Sequence, residues 1–347
     1  MRVMPTLGEP RRTPHPGLLA AFSLLFGILG GIVYYHLHPE ALPLHTTTLA
    51  RAEPQPVVAP LPLPAVQAAP APAPAPAADP ALAKAGLAKV AITVDGPMEK
   101  ALVDQLGQDT GAALGQVIGR ALVWWMSVPA DLRKGDKLEV LYEPRAGEEP
   151  VLHALRYTSA KGGQEYRAYR YQAQGEKYPR FYMPDGNELE LRLADAPIDD
   201  YEQITSLIKD GRHHKGVDFR TPVGTPVKAP FSGTITRRNW NWRGNGNCLE
   251  ITLDGGERQA IFLHLDVLPP ERHVGEQVQK GEVLAHSGNS GHSFAPHLHY
   301  QLMQGEEKVL DPFRIHQTFR RHLAAASRPG LDAEVSRLDA LFGGRAG

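Results

Sequence analysis

The stretch APHLHYQL, Ala295 to Leu302, sets two histidines one residue apart among apolar and aromatic neighbours. Side chains two apart on a strand point the same way, so His297 and His299 share one face and Leu298 and Tyr300 take the other. A half-buried strand with histidines on its wetter side would explain the pair equally well if it stood alone. Its meaning therefore depends on partners. From about Pro197 to His316 short apolar runs are punctuated by Gly and Pro every few residues, as in GTPVKAPFSGTITRR, NCLEITLDGG, RQAIFLHLDVL and VGEQVQKGEVLAHSG. That is the texture of an all-β domain with many short strands. Eight of the fifteen histidines fall between His213 and His299.

Within this segment HHKGVDF supplies His214 and Asp218, four apart, and FLHLD supplies His264. Gly216 and Pro222 make a helix improbable, and an extended chain again puts residues four apart on one face. Two imidazoles and a carboxylate can thus meet from two neighbouring strands. Zinc is the natural occupant, because catalytic zinc takes three such ligands and keeps a fourth position for water, whose pKa falls to about 7. Histidines outside the ligand set can move a proton or steady a developing oxyanion. No HExxH is present, so no glutamate is placed as base. Spacing alone does not choose between His297 and His299 as third ligand. His213, His273, His286 and His292 lie in loop-like sequence beside glycines or charges and read as ordinary loop histidines. Cys248, the single cysteine, sits in the strand-like NCLEITL with no base beside it and reads as a small core residue.

The amino-terminal part differs in kind. Arg2, Arg11 and Arg12 precede nineteen uncharged residues, Gly17–Tyr35, enough to span a bilayer as a helix. With the arginines before the span, residues 1–16 are expected as a cytoplasmic tail, 17–35 as an uncleaved signal anchor, and the rest as exported. A cleaved signal peptide is the competing reading, but the apolar run exceeds a usual h-region and no small-x-small site follows at once. Residues 36–85, rich in Pro and Ala from about Ala52 on, are expected as an extended polyproline tether with a reach on the order of 100 Å. The net charge of −1 gives no broad grip on nucleic acid, so none is expected as a partner. With no disulfide available, the exported part is expected to rely on its core or a metal.

Residues 86–196 read as an accessory α+β domain. It opens with a strand at KVAITV and a helix-like stretch from Met98 to Met126. The runs DKLEVLYE, VLHALRYTS, QEYRAYRYQ and RFYMPDGNELELRL follow. No catalytic constellation occurs there, and Trp124 and Trp125 read as core or interface residues. Residues 317–347 read as a carboxy-terminal tail.

At HHKGVDFRTPVGTPVKAPFSGTI, FLHLD and VGEQVQKGEVLAHSGNSGHSFAPHLHYQL the chain resembles the lysostaphin/LytM-type zinc peptidases that cleave peptide bonds in peptidoglycan. The resemblance covers roughly Tyr201 to Phe313. It implies a LytM-like antiparallel β-sheet fold, zinc ligands His214, Asp218 and His299, and His264 and His297 as base and transition-state stabilisers. Three departures stand out: an approach to His214, ITSLIKDGRHHKG, shorter than the usual arginine-bearing stretch, Ala295 where glycine is usual, and Gln301 where glutamate is common. LRKGDKLEVLYE and FYMPDGNELELRLADAPI are similar to the accessory domain of the larger Gram-negative murein DD-endopeptidases. Such domains are associated with covering the groove, so a chain beginning near Asp195 is expected to digest sacculi faster than one beginning near Ala85. With the anchor expected from Gly17–Tyr35, the resemblance implies a single-pass inner-membrane protein with its catalytic domain in the periplasm, acting on D,D cross-links, although glycine bridges suit other relatives. A non-enzymatic regulator that binds a cell-wall amidase is the rival reading. A passive envelope scaffold is a third, and it leaves the histidine set unexplained.

Overall fold

The computed structural model describes residues 79–208 and 214–343. The expected membrane anchor and almost all of the tether lie outside these residues. Among the described residues no helix is long and apolar enough to cross a membrane.

The tether ends earlier than expected. Asp79 caps a short helix α1 (Pro80–Ala85), accepting from the Ala81 amide at 2.8 Å, with Pro80 at the first helical position and Gly86 in the left-handed region after it. A capping acid, a first-turn proline and a terminal glycine define a helix even beside a proline-rich run. Strand β1 (Ala88–Thr93) follows. The stretch expected as one helix is two, α2 (Met98–Leu106) and α3 (Gln108–Leu122), because Gly107 at φ 82° breaks the run. A Cβ at Gly111 would sit 2.5 Å from the Val103 backbone, so the two helices cross where only glycine fits.

Four strands complete an antiparallel meander in the order β1-β2-β3-β4-β5: β2 (Lys137–Glu143), β3 (Val151–Thr158), β4 (Glu165–Tyr171) and β5 (Arg180–Tyr182). One face, with Val90, Val140 and Leu155, packs on Leu102, Leu114 and Ile118 of α2 and α3. β6 (Arg192–Leu193) leads away from this unit.

The following residues build an eight-stranded antiparallel sheet. Its path is β13-β10-β11-β12-β15-β8-β7, with β16 beside β15. The strands are β7 (Gln203–Ser206), β8 (Val217–Arg220), β10 (Gly233–Arg238), β11 (Asn247–Leu253), β12 (Arg258–Leu265), β13 (Gln277–Val278), β15 (His297–Gln304) and β16 (Lys308–Leu310). β9 (Pro226–Lys228) and β14 (Val283–His286) pair separately, and helix α4 (Trp242–Asn245) links β10 to β11. Phe219, Phe262, Leu298, Tyr300 and Leu302 form one closed core face, with Phe262 and Tyr300 stacked at 5.7 Å. Cys248 is buried in β11.

The segment after His316 is more than a tail. After helix α5 (Pro312–Ile315), β17 (Thr318–Phe319) pairs with β6, and helix α6 (Arg328–Leu341) returns to the first sheet. There Leu338 and Phe342 cover Leu87, Leu141, Ala154 and Tyr169, and Asp339 accepts from Arg156 at 2.8 Å and from the Tyr169 hydroxyl at 2.7 Å. The first sheet is thus covered on both faces, one by α2 and α3 and the other by a helix from the end of the chain.

Candidate active site

Register across the sheet gathers the site. β15 lies between β8 and β12, with His299 opposite Asp218 on one side and Leu263 on the other, and His297 opposite Arg220. β7 adds Ser206 opposite Asp218. The period of two that sends Leu298 and Tyr300 into the core sends His297 and His299 to the opposite face. His214 arrives from the chain just before β8, over Gly216. A Cβ on Gly216 would lie 2.5 Å from the Tyr300 carbonyl oxygen and 2.7 Å from the His299 ring, so the approach exists only because residue 216 has no side chain.

Three atoms converge there. His214 Nε2 is 3.1 Å and His299 Nδ1 2.9 Å from Asp218 Oδ1, and the two nitrogens are 3.0 Å apart. Their other ring nitrogens are engaged. Ser206 Oγ lies 2.9 Å from His214 Nδ1 and the Leu207 carbonyl 3.3 Å, while Gln301 Oε1 lies 3.4 Å from His299 Nε2. An acceptor at one ring nitrogen fixes the proton there and leaves the lone pair of the other facing its partners. Burial alone would raise the Asp218 carboxyl, but hydrogen bonds from His214 and His299 hold it well below the usual carboxylate range. The donor set of two imidazoles and a carboxylate within 4.8 Å of one another fits Zn2+.

Two further imidazoles stand beside the three atoms. His297 Nε2 is 4.0 Å from Asp218 Oδ1, and His297 Nδ1 donates to the Ala295 carbonyl at 2.8 Å, with Ser293 Oγ at 3.1 Å. His264 sits at the end of β12, where regular alternation would follow Phe262 and send its ring to the core. Its backbone instead adopts φ 61°, in the left-handed region a non-glycine residue rarely takes, and the ring lies 4.7 Å from that of His297 and 6.2 Å from that of His299. His264 Nδ1 donates to the Ser290 carbonyl at 2.9 Å. Burial, and then the nearness of His297, push the His264 imidazole down to about 4.

All five residues expected from the sequence are therefore brought into one cluster. Ser206, Ser290, Ser293 and Gln301, which hold the rings, were not singled out for that task. Isolated serines in strand-like and glycine-rich sequence carry no signal of it. His273, His286 and His292 take no part in the cluster, and His213 lies outside the described residues.

Residues 212–312, which contain all five side chains, match the model of Peptidase family M23. An uncharacterized metalloprotease of Haemophilus influenzae is 33% identical over 199 residues, 53% of this chain and 39% of that protein. Lysostaphin of Staphylococcus simulans is 39% identical over 94 residues, 27% of this chain and 19% of the other. The peptidoglycan DD-endopeptidase ShyA of Vibrio cholerae is 29% identical over 186 residues, 50% of this chain and 41% of the other. The chain thus spans less than half the length of each of these curated relatives. The donor set His214, Asp218 and His299, suited to zinc, therefore lies on a segment, residues 212–312, that is similar to Peptidase family M23.

Proposed function

We propose that this chain is an anchored zinc endopeptidase that hydrolyses peptide bonds of peptidoglycan, D,D cross-links in particular. In this reading His214, Asp218 and His299 hold the metal, and His297 and His264 handle the proton and the oxyanion. One observation carries it: two imidazoles with fixed tautomers stand beside a convergent His/Asp/His set. The anchor, the periplasmic location and the bond cleaved rest on the uncharged run Gly17–Tyr35 and on what the relatives are named for.

When bound, zinc supplies a Lewis acid that polarises a carbonyl and acidifies water. The chain's own residues do the rest. Asp218, half-buried and ionised, keeps negative charge where the two ligand imidazoles need it. His297 and His264 each tie up Nδ1–H on a backbone carbonyl, so each turns Nε2 to the reaction. One ring accepts a proton from the attacking water at Nε2, and the imidazole beside it steadies the developing oxyanion. The accepted proton then passes to the leaving amine, which completes a hydrolysis to one carboxylate and one amine.

The test is digestion of purified sacculi by the zinc-loaded chain, with fragments identified by mass. Release of peptide-cleaved muropeptides, stopped by chelation and restored by Zn2+, is expected. Intact cross-links after incubation with fully zinc-loaded protein would overturn the reading in favour of a binding regulator.

A further inference from the structure

Two loops meet at the edge of the histidine cluster. The turn between β10 and β11 carries α4, and the 288–296 loop leads into β15. His292 donates its amide to the Gly244 carbonyl at 3.0 Å, and the Asn247 amide donates to Ser290 Oγ at 2.9 Å. A Cβ on Gly291 would lie 2.2 Å from the Gly246 amide, and both glycines have positive φ, 73° and 65°. Such an approach locks the loops together. Ser290 and Ser293 of this same platform hold His264 and His297, so its position relative to the reacting groups is fixed.

This platform displays what a soluble surface normally hides. Phe294 is 94% exposed, between the two residues whose oxygens hold His297, with the His292 ring edge-on at 5.2 Å. Trp242 on α4 is 54% exposed, and the next residue, Arg243, is an exposed cation with no carboxylate partner among the described residues. The two loops so joined carry two exposed aromatic side chains and an exposed guanidinium, the residue types of a recognition surface. The aromatic faces suit the C–H face of a pyranose ring, and the guanidinium suits a carboxylate.

We propose that Trp242, Arg243 and Phe294 form a subsite for the glycan-bearing side of the substrate, in which a sugar ring packs on the aromatics and a stem-peptide carboxylate meets Arg243. The subsite rests on the peptidoglycan reading and deepens it: it binds a saccharide that carries an acidic peptide, not a bare peptide cross-link.

The experiment compares kcat/KM of the zinc-loaded full chain on two soluble substrates, a cross-linked peptide dimer and the same dimer with its disaccharides attached. The unsubstituted protein should favour the sugar-bearing dimer by about tenfold or more. Phe294→Ala and Trp242→Ala should each lose most of that preference through KM, with zinc content unchanged and the sugar-free rate within about twofold. Phe294→Tyr should keep the preference. Arg243→Gln should raise KM on both dimers. Equal kcat/KM of the unsubstituted protein on the two dimers, or equal losses on both in the aromatic variants, would overturn the subsite. Cleavage of neither dimer by zinc-loaded protein would overturn the peptidoglycan reading itself, and the subsite with it.

Discussion

Gly216→Ala is the smallest change that tests whether backbone packing builds the metal site. The added Cβ would fall 2.5 Å from the Tyr300 carbonyl oxygen and 2.7 Å from His299 Cε1 and Nε2, whereas ordinary contact begins at 3.4 Å. Neither neighbour is the loose end of a flexible chain. The carbonyl is part of β15 and the ring is pinned by that strand, so β15 and the His214 approach must separate by most of an ångström. Metal ligation tolerates roughly 0.2 Å. Zinc affinity should therefore fall by at least the ten- to hundredfold seen when ligand orientation is lost, and stability by about 1–3 kcal/mol as in other overpacked sites. Competition with a chromogenic chelator gives the affinity, and urea denaturation gives the stability. Gly119→Ala on α3 is the control, because nothing lies within 4 Å of its Cβ and the helix should gain up to about 1 kcal/mol. Unchanged zinc affinity in Gly216→Ala would refute the argument that residue 216 sets the distance between His214 and His299.

Three other outcomes are expected. Asp218→Ala and His299→Ala should each purify without stoichiometric zinc, since one of three protein ligands is gone; metal analysis at wild-type content in either would remove that residue from the ligand set. Glu190 is buried, accepts from the Ile204 amide at 3.1 Å, and is pushed up to about 8 by burial and then by Glu188. A carboxyl whose folded pKa is raised contributes stability that is complete below its unfolded pKa near 4.5 and is lost as pH rises through about 8. Glu190→Gln should accordingly flatten the fall in unfolding free energy between pH 5 and 8 by an amount on the order of a few kcal/mol in urea denaturation, and an unchanged slope would contradict the assignment. Leu338→Ala should cost about 2–5 kcal/mol because Leu338 is fully buried against the first sheet; a loss under about 0.5 kcal/mol in urea would mean that α6 is not held there.

That last result bears on the accessory unit. A chain beginning near Asp195 would keep α6 but remove the sheet it covers, so Leu331, Leu338 and Phe342 would lose Ala173, Tyr182, Leu141 and Tyr169. A faster digestion by such a fragment would mix release of a cover with exposure of an apolar helix. Removing residues 317–347 as well makes the comparison interpretable.

The parts that were legible in the sequence are those governed by strand periodicity. His297 and His299 share a face, Asp218 meets them across one strand pair, and short Gly-punctuated runs became an antiparallel sheet. His264 was nameable as a candidate from the sequence, but its reach into the site was not, since that depends on a left-handed φ that breaks the alternation of β12. The ring-holding residues Ser206, Ser290 and Gln301 act through long-range register, which no local pattern encodes. The split at Gly107 and the helix begun by Asp79 and Pro80 had local signals that the surrounding composition masked. The return of α6 to the first sheet had none, because an amphipathic segment does not name the face it covers.

The account stands most directly on a division of labour within HLH: His299 holds metal and His297 moves a proton. Zinc content and muropeptide release should be measured on one preparation of His297→Ala. One zinc per chain with a rate down by about a hundredfold or more is the expected result. Loss of the metal from His297→Ala, or digestion at the wild-type rate with zinc in place, would contradict it.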